Sequence, residues 1–140
     1  MIQRIQTIYL LLAVVLLAIA FLFDGIWTGA AAAEYAWFVP VTMGLLGLAA
    51  AGGVTAVFLY KDQPRQRGFV VLLQYLTLLG LALLIGANSL AGGWGSLTAN
   101  ASFSTWASVG APIIAYLMFL MARRGIDKDI KLIKSMDRLR

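Results

Sequence analysis

The sequence contains no cysteine and no histidine, and only 12% of its 140 residues are charged. The absence of cysteine excludes disulfides, iron–sulfur clusters, thiolate zinc sites and cysteine nucleophiles. The absence of histidine removes the usual zinc and copper ligands and the commonest general base. A soluble domain carries about a quarter charged residues, whereas this chain is 61% hydrophobic with a mean hydropathy of +0.88. The composition predicts an integral membrane protein with one domain.

Long stretches without charge predict four membrane-spanning helices. No acidic or basic residue occurs in 5–23, 35–60 or 68–122. One crossing of a hydrocarbon core about 30 Å thick needs roughly 20 helical residues, so the third stretch holds two crossings. We therefore predict an all-α protein, with one membrane domain over residues 1–140. Its spans are expected at about 5–23, 37–60, 69–87 and 105–122.

The first span has an alternative interpretation as a secretory signal peptide. Residues 18–20, Ala-Ile-Ala, have the small-x-small form of a cleavage site. The apolar stretch continues past this site to Phe23. We therefore expect an uncleaved helix.

The basic residues are distributed unequally along the chain. All eleven precede the first span, lie between the second and third spans, or follow the fourth, and none occurs in 24–36 or 88–104. Positively charged loops remain in the cytoplasm, so we expect both termini there. The tryptophans lie in or beside the two loops without basic residues, as an aromatic belt at the outer interface would. These are Trp27, Trp37, Trp94 and Trp106.

The spans contain no ionisable residue other than tyrosine, which leaves ion or proton transport without a charged relay. Gln74 is the best candidate for a functional polar group, although hydrogen bonding between helices or to a carbonyl one turn earlier is the simpler interpretation. Pro112 predicts a kink or a late start of the fourth helix. The polar segment 88–104 predicts a long loop without secondary structure.

Small residues are concentrated in the second span. Gly44, Gly47 and Ala51 form a small-x-x-small and a small-x-x-x-small pair, which permit close approach of helix backbones. They are candidate helix-packing residues, either within the bundle or against another chain.

The carboxylates provide no evident catalytic site. Asp24 and Glu34 share one loop and could in principle form an acid–base pair, but solvated loop charges are the simpler interpretation. No nucleophile with a base, no phosphate-binding glycine loop and no metal-ligand cluster is recognisable. We expect no enzyme activity and no cofactor.

The segment 124–140 has the pattern of a basic amphipathic helix, with Asp127 and Lys131 as an i,i+4 pair. It is expected to lie on the inner leaflet, to dock on a cytosolic partner, or to remain a solvated tail. Anionic lipid favours the first of these, whereas nucleic acid is not expected because no aromatic residue interleaves the charges. The apolar side comprises Ile126, Ile130, Leu132, Ile133, Met136 and Leu139. The candidate membrane-surface or partner contacts are Arg123, Arg124, Lys128, Lys131, Lys134 and Arg138.

Both ends of the chain resemble a family of small four-helix membrane proteins from Bacteroidota, domain of unknown function 4293. The opening MIQRIQTIYLLLA and the closing ARRGIDKDIKLIKSMDRLR carry the resemblance. Gly125 and Asp127 depart from the family's closing pattern. The resemblance implies a bacterial inner-membrane protein of four helices and brings no established activity. The matching closing positions are Ala122, Arg124, Ile126, Lys128, Asp129, Leu132, Ser135, Asp137, Arg138, Leu139 and Arg140.

The pattern as a whole favours a non-catalytic accessory or assembly subunit of a larger membrane complex. Its expected partners are the lipid bilayer, anionic lipid at the basic tail, and other membrane chains or copies of itself. A small transporter or channel is the alternative, with a polar path past Thr42, Gln74, Thr77 and Asn88. A lipid-interacting protein that uses Asp24 and Glu34 is another.

Overall fold

The computed structural model describes residues 2–99 and 102–139. Within these ranges the chain forms six α-helices and no strand. A 3-10 turn, Leu59–Lys61, joins the third helix to the fourth. The helices are α1 (Ile2–Leu22), α2 (Ala30–Glu34), α3 (Phe38–Phe58), α4 (Gln63–Leu90), α5 (Gly93–Ala99) and α6 (Phe103–Arg138).

Four of the described helices, α1, α3, α4 and α6, are long and apolar enough to cross a membrane, which agrees with the predicted number of such helices. They form a closed ring in which α1 packs on α3 and α6, and α4 also packs on α3 and α6. The α3–α4 connection and the charged part of α6 lie at one end, which we call the basic end. The short helices α2 and α5 lie at the other, the loop end.

Small residues of α3 allow its neighbours to approach closely. A Cβ atom at Gly53 would lie 2.5 Å from Cγ2 of Val14 on α1, and one at Gly52 would lie 2.3 Å from Cδ2 of Leu73 on α4. Both distances are shorter than the non-bonded contacts that real Cβ atoms make. These two glycines therefore set the spacing of α3 against both of its neighbours.

The helix α6 is longer than the predicted fourth span. It begins at Phe103 and continues through Pro112 to Arg138, so a late start at the proline is wrong. The predicted tail segment is therefore helical, and it continues the fourth apolar helix without a break. The first charges at Arg123 and Arg124 mark the end of the apolar part, not the end of the helix.

The predicted loop 88–104 is also largely helical. The helix α4 continues to Leu90, and α5 occupies Gly93–Ala99. Gly92 between them has φ of +63°, a left-handed conformation that favours glycine and lets the chain turn at this point.

Trp27 is part of the core rather than of an aromatic belt. Its side chain is 6% exposed, and its Nε1 donates a hydrogen bond to the carbonyl oxygen of Ala20 at 2.9 Å. Its ring stacks on that of Phe21, with 6.2 Å between centroids. Trp37 and Trp106 are exposed, as an aromatic belt requires.

Candidate functional site

The basic end contains a buried carboxylate that the sequence pattern does not reveal. Asp129 on α6 is 6% exposed and accepts a hydrogen bond from Nε2 of Gln6 on α1, which is 3% exposed. Gly125 makes room for this contact, because a Cβ there would lie 2.9 Å from Cγ of Gln6. The hydrogen bond joins the first turns of α1 to the charged part of α6.

A second group of polar side chains, the arginine cluster, joins α4 to α6 at the same end. It consists of Arg67 and Gln74 on α4 with Arg123 and Asp127 on α6. Asp127 accepts a hydrogen bond from Nε of Arg67, and its other oxygen lies 3.9 Å from Nε of Arg123. Nη1 of Arg123 donates to Oε1 of Gln74 at 3.3 Å.

These contacts differ from the local pairing predicted for the tail. Asp127 pairs with arginines from two helices, whereas Lys131, four residues further on, is exposed. Gln74, the predicted polar candidate, is 6% exposed and forms the hydrogen bond with Arg123. Sequence reasoning singled out Gln74 but gave no indication of its partner.

A small groove lies beside the arginine cluster, between α4 and α6. Its volume is about 100 Å³. The polar side chains of Gln74 and Arg123 meet apolar side chains from the spanning part of the bundle there. We call it the α4–α6 groove, and its lining is Val71, Gln74, Tyr75, Leu78, Tyr116 and Arg123.

A larger open cavity, of about 640 Å³, lies where the α3–α4 connection faces α6. Lys61 and Lys134 provide basic groups at its border, and Ile130 and Ile133 provide apolar surface. It is lined by Tyr60, Lys61, Asp62, Gln63, Pro64, Ile130, Ile133 and Lys134.

The last part of α6 extends past the bundle. Every side chain from 131 to 139 is exposed, including Ile133 at 49% and Met136 at 63%. Of the six predicted basic contacts, Arg123 joins the arginine cluster. The other five are exposed: Arg124, Lys128, Lys131, Lys134 and Arg138.

The predicted helix-packing residues lie mostly on the outer surface of α3. Gly44 and Ala51 are exposed, and no atom lies within 4 Å of a Cβ built at Gly44. Gly47 is half-buried, and its Cβ position lies 4.0 Å from Cζ of Phe21. The bundle packs on a different set of small residues in α3: Ala49, Gly52, Gly53 and Ala56.

The buried polar side chains of the spans bond mainly to backbone carbonyls. Thr77 donates to Leu73 at 2.8 Å, and Asn88 donates to Leu84 at 2.8 Å. Such bonds hold a polar side chain against its own helix. Thr42 Oγ1 and Asn88 Oδ1 are buried without a hydrogen-bond partner among the described residues.

The two loop carboxylates lie at the opposite end from these contacts. Asp24 precedes α2 and Glu34 ends it, and both are exposed.

Four helices long and apolar enough to cross a membrane form a ring, and the charged residues lie outside their apolar stretches. This architecture is typical of a polytopic α-helical membrane protein. The chain belongs to the family described as Domain of unknown function (DUF4293), whose model matches residues 2–139. Comparisons with curated proteins and with solved structures give no match. The two segments that carry the family resemblance meet in the fold, because Gln6 lies in the opening segment and Asp129 in the closing one.

Proposed function

We propose that the chain is a non-catalytic accessory or assembly subunit of a larger complex in a bacterial inner membrane. The observation that carries this proposal is the outer surface of α3. Gly44 and Ala51 are exposed on it on either side of Leu48, which is 62% exposed, and the protein's own helices do not cover these positions. Apolar burial gives no drive to associate within lipid, so helices pair there by close packing, which small residues permit.

The same surface explains why α3 carries two sets of small residues. Gly52 and Gly53 are needed for contact with α4 and α1, whereas Gly44 and Ala51 face away from them. The proposed role of the outward set is contact with a spanning helix of another chain.

The orientation we propose places the basic end in the cytoplasm. Support comes from the eleven basic residues, none of which lies in the segments 24–36 and 88–104 that form the loop end. In this orientation the exposed residues 131–139 of α6 are available to a cytosolic part of the same complex.

Native gel electrophoresis of the full chain, purified from its own membranes in mild detergent, tests the proposal. We expect the wild type to migrate with co-purifying chains, well above its 15.1 kDa. Gly44→Leu with Ala51→Leu should release the free subunit. The matched control is Gly86→Leu, a glycine of α4 with no atom within 4 Å of its Cβ position. Unchanged size and partners in the α3 variant would contradict the proposal.

A further inference from the structure

We propose that the α4–α6 groove is a binding site for the phosphate group of an anionic membrane phospholipid, with Arg123 as its main charge partner. This inference is independent of the proposed subunit role, because it concerns the groove between α4 and α6 and not the outer surface of α3. It rests on the depth, charge and shape of the groove.

The depth of Arg123 corresponds to the boundary of the hydrocarbon core. Trp106 is exposed near the loop end, and Arg123 follows it by 17 positions on the same helix. At 1.5 Å per residue this separation is about 26 Å, close to the thickness of about 30 Å of the hydrocarbon core. The guanidinium group therefore lies at the level where lipid phosphates begin.

The side chain of Arg123 is held at this depth rather than free to extend into water. Side chains on a helix lean toward its N-terminus, which for α6 is toward the apolar part of the bundle. Nη1 of Arg123 donates a hydrogen bond to Oε1 of Gln74 at 3.3 Å, and Oδ2 of Asp127 lies 3.9 Å from Nε of Arg123. Among the described residues, no hydrogen-bond partner meets Nη2. The side chain remains 39% exposed, so it is accessible from the groove.

The charge of the arginine cluster is suited to a phosphodiester. Arg67 and Arg123 contribute two positive charges and Asp127 one negative charge, which leaves one positive charge in excess. A phosphodiester carries one negative charge and would neutralise it. Arg124 and Lys128 are exposed nearby and would repel a cationic headgroup. The site therefore favours an anionic lipid, such as phosphatidylglycerol, over phosphatidylcholine.

The lining of the groove matches the two parts of a lipid. Tyr75 and Tyr116 provide phenolic hydroxyl groups, which can donate to phosphate oxygens, and a guanidinium can bind two such oxygens at once. Val71 and Leu78 provide an apolar surface, on the side of the spanning helices, for the start of an acyl chain. A soluble phosphate would make no use of this apolar part.

Native mass spectrometry of the full chain in a neutral detergent tests the site. The protein is titrated separately with phosphatidylglycerol and phosphatidylcholine, and the retained lipid is counted. The informative variant is Arg123→Gln. Its matched control is Arg124→Gln, which removes an equal charge from the neighbouring exposed position. Circular dichroism establishes that each variant retains its helices.

We expect one phosphatidylglycerol to be retained in preference to phosphatidylcholine. Arg123→Gln should weaken its binding roughly tenfold, since it removes charge-assisted hydrogen bonds. Arg124→Gln should change binding less than about twofold, as for an exposed charge. Equal losses in the two variants would overturn the site in favour of diffuse attraction. Equal retention of the two lipids would overturn its preference for anionic lipid.

Two further measurements test the lipid site if Arg123→Gln does not fold. Leu78→Trp fills the apolar part of the groove from an exposed position and leaves every charge in place. We expect it also to weaken phosphatidylglycerol binding, and unchanged binding would overturn the site. Competition with inorganic phosphate separates the two sources of the ligand. Displacement of the lipid by millimolar phosphate would show a site for free phosphate instead.

Discussion

Gln6 and Asp129 are 123 positions apart in the chain, yet they share a buried hydrogen bond at the basic end. The amide of Gln6 donates a hydrogen bond to a carboxylate that is 6% exposed. A buried charged group is tolerated only when it is hydrogen-bonded or paired. The contact is therefore expected to matter for the stability of the charged part of α6.

Removal of the amide should destabilise the protein more than removal of both groups. We expect Gln6→Leu to lower the free energy of unfolding by about 1–3 kcal/mol, because it leaves the Asp129 carboxylate buried without a donor. The double variant Gln6→Leu with Asp129→Leu should recover most of this loss, since neither polar group then remains. Titration of the full chain in micelles with a denaturing detergent measures both.

Asp137→Asn is the control for this comparison, because Asp137 lies exposed on the same helix. We expect it to change the free energy of unfolding by less than about 0.5 kcal/mol. A double variant that is less stable than Gln6→Leu would show that the carboxylate has another important partner.

The two sets of small residues on α3 should respond differently to the same substitution. Gly53→Leu places a side chain where Val14 and Phe119 already lie, and we expect a loss of about 1–3 kcal/mol from overpacking. Gly44→Leu meets no atom within 4 Å and should leave the unfolding of the isolated chain unchanged. Detergent denaturation followed by circular dichroism distinguishes them. If both substitutions lower the free energy of unfolding equally, Gly44 packs within the bundle and gives no support to an outer contact surface on α3.

Trp27 should contribute to stability in a way that the exposed tryptophans do not. Trp27→Phe keeps an aromatic ring but leaves the Ala20 carbonyl without its indole donor, so we expect a loss of about 0.5–1.5 kcal/mol. Trp106→Phe is the matched control, since Trp106 is 58% exposed. Similar losses in a thermal unfolding experiment would indicate that the Trp27 hydrogen bond has no net effect.

The orientation can be tested with single cysteines, because the chain has none of its own. Thr98→Cys and Ser135→Cys are matched sites, as both hydroxyls are exposed and bond to their own helix backbones. In intact spheroplasts, an impermeant thiol reagent should label position 98 and not position 135. After lysis it should label both. Labelling of position 135 before lysis would contradict the proposed topology and indicate that the basic end faces outward.

The number of membrane-spanning helices could be predicted from the sequence because it depends only on the lengths of the charge-free stretches. The charge-free stretches are long enough for four crossings, and the structure has four helices of that kind. The helix ends could not be predicted as well. Arg123 marks where the apolar stretch stops, but α6 continues as a helix to Arg138.

The contacts between helices could not be predicted either, since they depend on rotation and register. A helical repeat of 3.6 residues pairs Asp127 with Lys131, whereas the folded bundle brings Arg67 next to Asp127 instead. Asp129 lies in a charged stretch and resembles a solvated residue until α1 is placed beside it. Trp27 is similar: its loop position favours the interface, but its indole donates to the carbonyl of Ala20, seven residues earlier and near the end of α1.

The helix α6 connects the bundle to its exposed C-terminal part without a break. Its 36 residues span about 54 Å, and the Gln6–Asp129 contact lies between the long bundle portion and the short free arm. A partner bound to the exposed residues 131–139 would therefore be connected to the membrane-spanning bundle through one unbroken helix.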